Sequence, residues 1–340
     1  MKKWGIAAFF VVIIAALIIY IDWRGRNYNI EEEDKLVVVS PHPTEFIIPL
    51  IQEFENETGI SVEVYSCGTS DAIDKITTDS DIDIMWGGSL LAVGPYMNHF
   101  YTYETSNKSR FMDAFKNESN EVTCFSDVPS VIMVNTDIIG DIGVEGYEDL
   151  LDPRLKGRIA FADPGKSSSS FEHLVNMLYA MGNGDPDKGW DYVKKFVAQL
   201  DGNILDSSSL VYQGVANGKY AVGLTFEEAA VTMIKSDKHV SIVYMREGVV
   251  STPDGIYISK NSKRCDMAEK FADFMTSRKA QQFMASDLGR RSVRKDVEAS
   301  ELVIPKYKIN NLPVNKKTVI ACKDSWIEEF EKIYKEGTDG

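Results

Sequence analysis

The sequence predicts an α/β protein built from two successive α/β units. Three observations predict it. Strand-like and helix-like stretches alternate from Lys35 to Ser89, and a second alternation begins at Ser130. A chain of 340 residues with 44% apolar and 26% charged residues can fill one large or two medium folded units.

Lys35–Ser40 is a continuous β-branched run, the pattern of a strand buried on both faces. Pro41 and Pro43 stop it around His42. Thr44 can cap a helix through Glu57, where Phe46, Ile47, Leu50, Ile51 and Phe54 recur at helical spacing, and Gly59 follows its end. Ile60–Ser66 is a second strand, and Gly68, Thr69, Ser70 and Asp71 open a helix through Ile76. Asp83–Trp86 is a third strand, stopped by Gly87, Gly88 and Ser89. This succession implies a parallel sheet with functional loops at the C-terminal ends of its strands.

The second unit has strands at Ser130–Asn135 and Arg158–Phe161 around a short helix at Glu148–Leu151. A serine-rich loop, Asp163–Ser170, leads into the amphipathic Phe171–Met181, and Trp190–Leu200 is another helix. Ser207, Ser208 and Ser209 follow Ile204–Asp206 and open a helix through Val215. Tyr220–Thr225 is a buried strand ending before Glu227 and Glu228. Val240–Tyr244 and Gly255–Ser259 are strands leading back, and Asp266–Thr276, Lys279–Ala285 and Trp326–Tyr334 are helical.

Lys2 and Lys3 precede an apolar run from Trp4 to Ile21. About 18 residues at ~1.5 Å each span ~27 Å, close to the hydrocarbon thickness of a bilayer. No small-x-small cleavage site follows, so the run reads as an uncleaved signal anchor in the cell membrane, with a cleaved signal and secretion as the alternative. Asn27–Asp34 is a polar, acidic linker. The net charge of −14 argues against a nucleic-acid partner. Cys67, Cys124, Cys265 and Cys322 form no C-x-x-C pair, so neither a metal site nor a cofactor is expected. In an exported protein they permit disulfides. Cys67–Cys124 with Cys265–Cys322 is the expected pairing, against buried free thiols.

Residues Leu36–Gly59, the glycine-serine stop after Trp86, the segment Leu151–Pro164 and Gly214–Gly218 resemble ABC-type extracellular solute-binding proteins. The similar branch carries a ferric-ion-binding label and includes iron, phosphonate and sugar-phosphate receptors. The resemblance implies a type II periplasmic-binding-protein-like fold, with two α/β lobes around a ligand cleft, crossover strands and an extracytoplasmic location. Residues 1–34 become anchor or signal segment plus linker. Residues 35–131 and 255–340 form the first lobe, and 132–254 the second. A monomer is expected, working with an ABC permease or with a membrane sensor kinase.

Ferric receptors of this family use adjacent tyrosines, and this chain has no such pair. Its loops instead place hydroxyls and glycines ahead of helices: Thr69 and Ser70, Gly88 and Ser89, Ser167, Ser168 and Ser169, Ser207 and Ser208. Helix N-termini present unpaired N–H groups and partial positive charge, so several together would hold an oxyanion. Plain helix capping is the alternative for each. Asp206, Glu227 and Glu228 can accept hydrogen bonds from sugar hydroxyls or an ammonium. Ser40 and His42 are expected to face the ligand from the first lobe, with a surface turn histidine as the alternative, and Asp254 is a weaker candidate. The Ser40–Pro43 segment with Asp206 and Glu227 is most similar to the sugar-phosphate branch, which implies a hexose phosphate. Aminoethylphosphonate, phosphoglycerate, a polyamine and ferric ion are the alternatives.

No catalytic residue is expected. The chain lacks a Gly-x-Ser-x-Gly elbow and a His-Glu-x-x-His helix. Gly165, Lys166 and Ser167 superficially match a phosphate loop, but Ala160 stands where its first glycine belongs. Glu227 and Glu228 are neighbours on one element, unlike carboxylates that flank a scissile bond.

Overall fold

The computed structural model describes residues 35–116 and 119–338. The Trp4–Ile21 run and the acidic linker lie outside the described residues. Among those described, no helix is long and apolar enough to cross a membrane.

The first lobe begins with strand β1 (Leu36–Ser40), helix α1 (Thr44–Thr58), β2 (Val62–Ser66), α2 (Thr69–Thr78), β3 (Ile84–Ser89) and the short α3 (Leu90–Val93). β2, β1 and β3 lie side by side and parallel, with Ser40 opposite Ser66 at the end of the register. Their C-terminal ends therefore all point one way. The strand residues Leu36 and Val38 pack with Phe46, Leu50 and Phe54 of α1, and Trp86 and Phe271 complete this core. Apolar spacing thus sets which face of α1 is buried.

The chain then crosses once on β4 (Thr123–Asn135), 13 residues long and buried throughout. Its first half, up to Pro129, pairs antiparallel with β8 (Ser251–Ile258). From Ser130 onward it pairs with β6 (Val222–Phe226) and β7 (Val240–Val243) in the second lobe. The remaining second-lobe elements are β5 (Ile159–Ala160), α4 (Ser168–Met181), α5 (Pro186–Leu200), α6 (Ser208–Ala216) and α7 (Glu227–Lys235). After β8 come α8 (Cys265–Met275), α9 (Arg278–Ser286), β9 (Arg291–Ser292) and α10 (Lys316–Thr338). Glu148–Leu151 is a 3-10 turn. The second core gathers Ile132, Leu150, Phe161, Phe171, Leu174 and Phe196.

Two expectations are corrected. The chain beyond residue 255 does not stay with the first lobe, because α10 inserts Val319, Trp326, Phe330 and Ile333 into the second-lobe core. Its start still touches the first lobe: Ile320 fills the space beside Gly94, and the Lys323 ammonium donates to the Ala92 carbonyl at 2.8 Å. All four cysteines are free thiols, so neither expected disulfide is formed. Cys67 packs beside Val39 and Ile73, whereas Cys124 packs with Phe111 and Val293 in another cluster. Cys265 opens α8, while Cys322 lies on α10 against the second-lobe core.

Candidate ligand-binding cleft

Between the lobes lies a cavity of about 410 Å³. Its first-lobe wall is made by the loops that leave the parallel strands: Pro41–Glu45, Ser66–Thr69 and Gly88. Its second-lobe wall is made by Lys166–Ser169 and Asp206–Ser209, with Glu172, Tyr212 and Gln213. The N-terminal residues of α1, α2, α4 and α6 all line this one space. Each helix end carries about half a positive charge and unpaired N–H groups.

The local sequence explains these ends. Ser167 caps α4 by accepting from the Ser170 amide at 3.4 Å, and Ser207 caps α6 by accepting from Leu210 N at 3.4 Å. Pro43 and Gly68 precede α1 and α2 without any side-chain cap, so no capping side chain occupies their first amides. Thr69 donates to the Ser168 hydroxyl at 3.1 Å, and the two lobes touch at this point. Gly88 has φ +86°, and a Cβ there would stand 2.9 Å from the Met85 methyl. Gly87 has φ +114°, and its Cβ would press on His42 Nε2 at 2.6 Å. The glycine pair is therefore what bends β3 and makes room for the imidazole.

His42 is buried, not a surface turn residue. It packs among Phe46, Trp86 and Phe125. Burial first, and then the Arg290 guanidinium, hold it well below the usual histidine range, so it is neutral. Its Nε2 lies 3.7 Å from Asp254 and has no hydrogen-bond partner. Arg290 donates to Asp254 at 3.0 Å and to Glu228 at 2.7 Å, and its guanidinium lies 4.4 Å over the Phe46 ring. Burial raises Asp254, and Arg290 opposes that rise.

Of the residues singled out from sequence, His42, Thr69, Gly88, the serines 167 to 169, Asp206, Ser207 and Ser208 line the cavity, as does Asp254. Asp206 is exposed at the rim, where Lys166 pairs with it at 2.6 Å. Ser40, Ser70, Ser89, Glu227 and Glu228 do not line it. The Ser40 hydroxyl is fully buried, donates to the Trp86 carbonyl at 2.6 Å and accepts from His42 N. It ties β1 to β3 beneath the histidine. Ser70 sits one residue inside α2, and Ser89 caps α3. Glu227 accepts from Arg291 at 2.7 and 2.8 Å and from Tyr244. Glu228, held by Arg290, borders a separate groove of about 270 Å³.

Sequence reading missed Glu172, Arg290, Lys166 and Tyr212. Glu172 had one available signal, as the lone carboxylate of its helix, five residues after a serine cap. Burial pushes this carboxyl up to about 8; the nearby Ser89 and Thr252 hydroxyls oppose the rise, and Asp254 and Asp127 add to it.

The family model described as bacterial extracellular solute-binding protein matches residues 49–310, and the chain belongs to that family. The two lobes have the type II periplasmic-binding-protein fold. A solved structure described as a two-component system protein mediating signal transduction is 30% identical, with a TM-score of 0.73, over 88% of this chain and 99% of that one. AfuA from Actinobacillus pleuropneumoniae, solved with exogenous fructose-6-phosphate bound, is 20% identical with a TM-score of 0.80, over 88% and 98%. An uncharacterized protein of Haemophilus influenzae is 24% identical over 153 residues, which are 44% of this chain and 43% of that protein. This chain therefore matches less than half the length of that curated relative.

Proposed function

We propose that this protein is an extracytoplasmic receptor that captures a phosphorylated small molecule, a hexose phosphate, between its lobes. One observation carries the reading: the N-terminal ends of four helices, two from each lobe, line a single cavity. Such ends hold a phosphoryl group through amides and dipoles without a dedicated lysine or arginine. In this reading Thr69, Gly88, the serines 167 to 169, Ser207 and Ser208 surround the phosphoryl oxygens, with Ser70 and Ser89 supporting them. His42 and Asp206 read the sugar hydroxyls. Ser40, Glu227 and Glu228 hold the site's frame. Binding is lobe closure, because a ligand touching both walls stabilises the closed state by its differential contacts. No step of chemistry is required of any residue.

Isothermal titration with glucose 6-phosphate and fructose 6-phosphate is the test. Heats for the phosphates but not for free hexose are expected. Equal affinity for free hexose, or affinity for ferric ion alone, refutes the reading. Asp206→Ala should weaken the sugar phosphate at least several-fold more than inorganic phosphate, and equal losses remove Asp206 from sugar recognition.

The captured ligand is delivered to an ABC permease, the role in which such receptors serve import. A second reading has the occupied receptor report to a membrane sensor kinase. The 30% identical structure, described as a two-component protein, favours it. Co-reconstitution separates the two: ligand-dependent ATP hydrolysis by a permease marks import, and ligand-dependent kinase autophosphorylation marks sensing.

A further inference from the structure

Glu172 is the cavity's unexplained group. It sits on α4 five residues after the Ser167 cap, and helical side chains lean toward the N-terminus, so its carboxyl lies back along the turns that face the cleft. It lines the cavity and is 4% exposed. Both cations that line the cavity among the described residues are already paired. Arg290 is committed to Asp254 and Glu228, and Lys166 to Asp206 at the rim. Its polar neighbours are the Ser89 hydroxyl on β3 and the Thr252 hydroxyl on β8. The charged groups that act on it, Asp254 on β8 and Asp127 on β4, are both acidic. His42, from the β1–α1 loop, is neutral there.

An ionised carboxylate in this position would face a bound oxyanion with no counter-charge between them. A carboxylic acid would present a hydrogen-bond donor instead. Resting on the anion reading of the cleft, we propose that Glu172 enters the ligand complex as the acid and donates its proton in a hydrogen bond to an oxygen of the bound anion, so that anion and proton are held together. No bond is made or broken apart from this hydrogen bond. Neutral Glu172 lets the site accept oxyanions that carry no proton of their own, whereas an ionised Glu172 would demand a protonated ligand. The titration lies in a useful window, since burial raises the carboxyl to about 8 in the empty cleft. A bound dianion raises it further, because like charge disfavours ionisation. Burial lifts two other titrating groups of the cavity away from that window: Cys67 above its ordinary value of 9.0 and Tyr212 above 10.0.

The test is titration of glucose 6-phosphate and glucose 6-sulfate from pH 5 to pH 9. The phosphate ester loses its last proton near pH ~6 and the sulfate ester has none to lose, so the ligand is constant above pH ~7. Both esters should bind, and both should weaken roughly tenfold between pH 7 and pH 9, as expected for a required proton on a group of pKa about 8. Calorimetry at pH 8.5 in buffers of different ionisation enthalpy should show uptake of roughly three quarters of a proton per ligand. Glu172→Gln should flatten the profile above pH 7 and abolish the uptake. Glu172→Met, close in volume but without a donor, should weaken binding at pH 7 and also show no uptake.

Wild-type affinity that is level from pH 7 to 9 overturns the inference while leaving the anion reading intact. So does a slope that survives in Glu172→Gln. Rejection of the sulfate ester, with phosphate affinity already falling between pH 5 and 7, also overturns it, because the ligand would then be the proton donor. Failure of both esters to bind at any pH refutes the anion reading, and this inference with it.

Discussion

Two buried side chains on α4 titrate in opposite senses. His173 donates from Nε2 to the Thr225 carbonyl and accepts at Nδ1 from the Tyr147 hydroxyl, both at 2.7 Å. Protonation would turn that acceptor into a second donor, and burial lowers the group to about 4. A depressed histidine contributes stability that is present above its unfolded value of ~6.5 and lost as pH falls toward 4. Glu172 next to it is raised to about 8. Its contribution is complete below the unfolded value of ~4.5 and is lost as pH rises through 8, because the unfolded chain releases a proton that the folded chain keeps. The expected outcome is a melting temperature that peaks between these limbs. Glu172→Gln should gain on wild type as pH rises, by up to roughly 3 kcal/mol at neutral pH. Thermal unfolding of both proteins from pH 4 to 9 checks this, and a constant difference across the range contradicts it. Neither titration was legible in the sequence. The partners of His173 lie 26 and 52 residues away, and no local pattern announces them.

At the scale of single elements, the serine-led helices carry two jobs that can be separated. Removing a capping hydroxyl costs about 0.5–2 kcal/mol as alanine but only a few tenths as glycine. Ser207→Ala should therefore lower both stability and affinity for glucose 6-phosphate, whereas Ser207→Gly should recover most of the stability and not the affinity. Recovery of both by glycine would mean that the hydroxyl only caps α6. These helices were legible, since β-branched runs ending in glycine or serine mark where a strand yields to a helix. The first half of β4 was not. Asp127 and Pro129 read as turn residues, yet Asp127 is buried against Lys306 and Ser251. Pro129 stands where the strand leaves one lobe, and Ser130 N donates to Val250 O just past it. Glu227 and Glu228 follow the same logic. Their positions at a strand end pointed to the cleft, but Arg290 and Arg291, about 60 residues onward, draw them into the frame.

For the whole molecule, the relation between the lobes is set by three physical ties. β4 and β8 are shared strands, and the Glu227–Arg291 and Glu228–Arg290 pairs join α7 to the start of β9 and the residue before it. α10 bridges both lobes, through Ile320 and Lys323 on one side and Trp326 and Phe330 on the other. Opening would flex the strands, slide α10 and separate Thr69 from Ser168. Small-angle scattering should show a radius of gyration near the ~20 Å of a compact chain of this length with glucose 6-phosphate present, and a larger one without it. An unchanged radius at saturating ligand would argue against closure. The two-unit α/β plan was legible because alternation is local. The allegiance of the C-terminal helix was not, because its ring partners Phe161 and Tyr179 lie far from it in sequence.

The parallel first-lobe strands have one more consequence. His42, Thr69 and Gly88 stand at or just past their C-terminal ends, while Leu36 begins β1 at the far pole. Five strand residues separate the two by about 16 Å. Anything attached ahead of Lys35, whether a lipid bilayer, a sensor chip or a fused partner, therefore holds the molecule by its heel. That attachment and the cavity lie at opposite ends of the first-lobe strands.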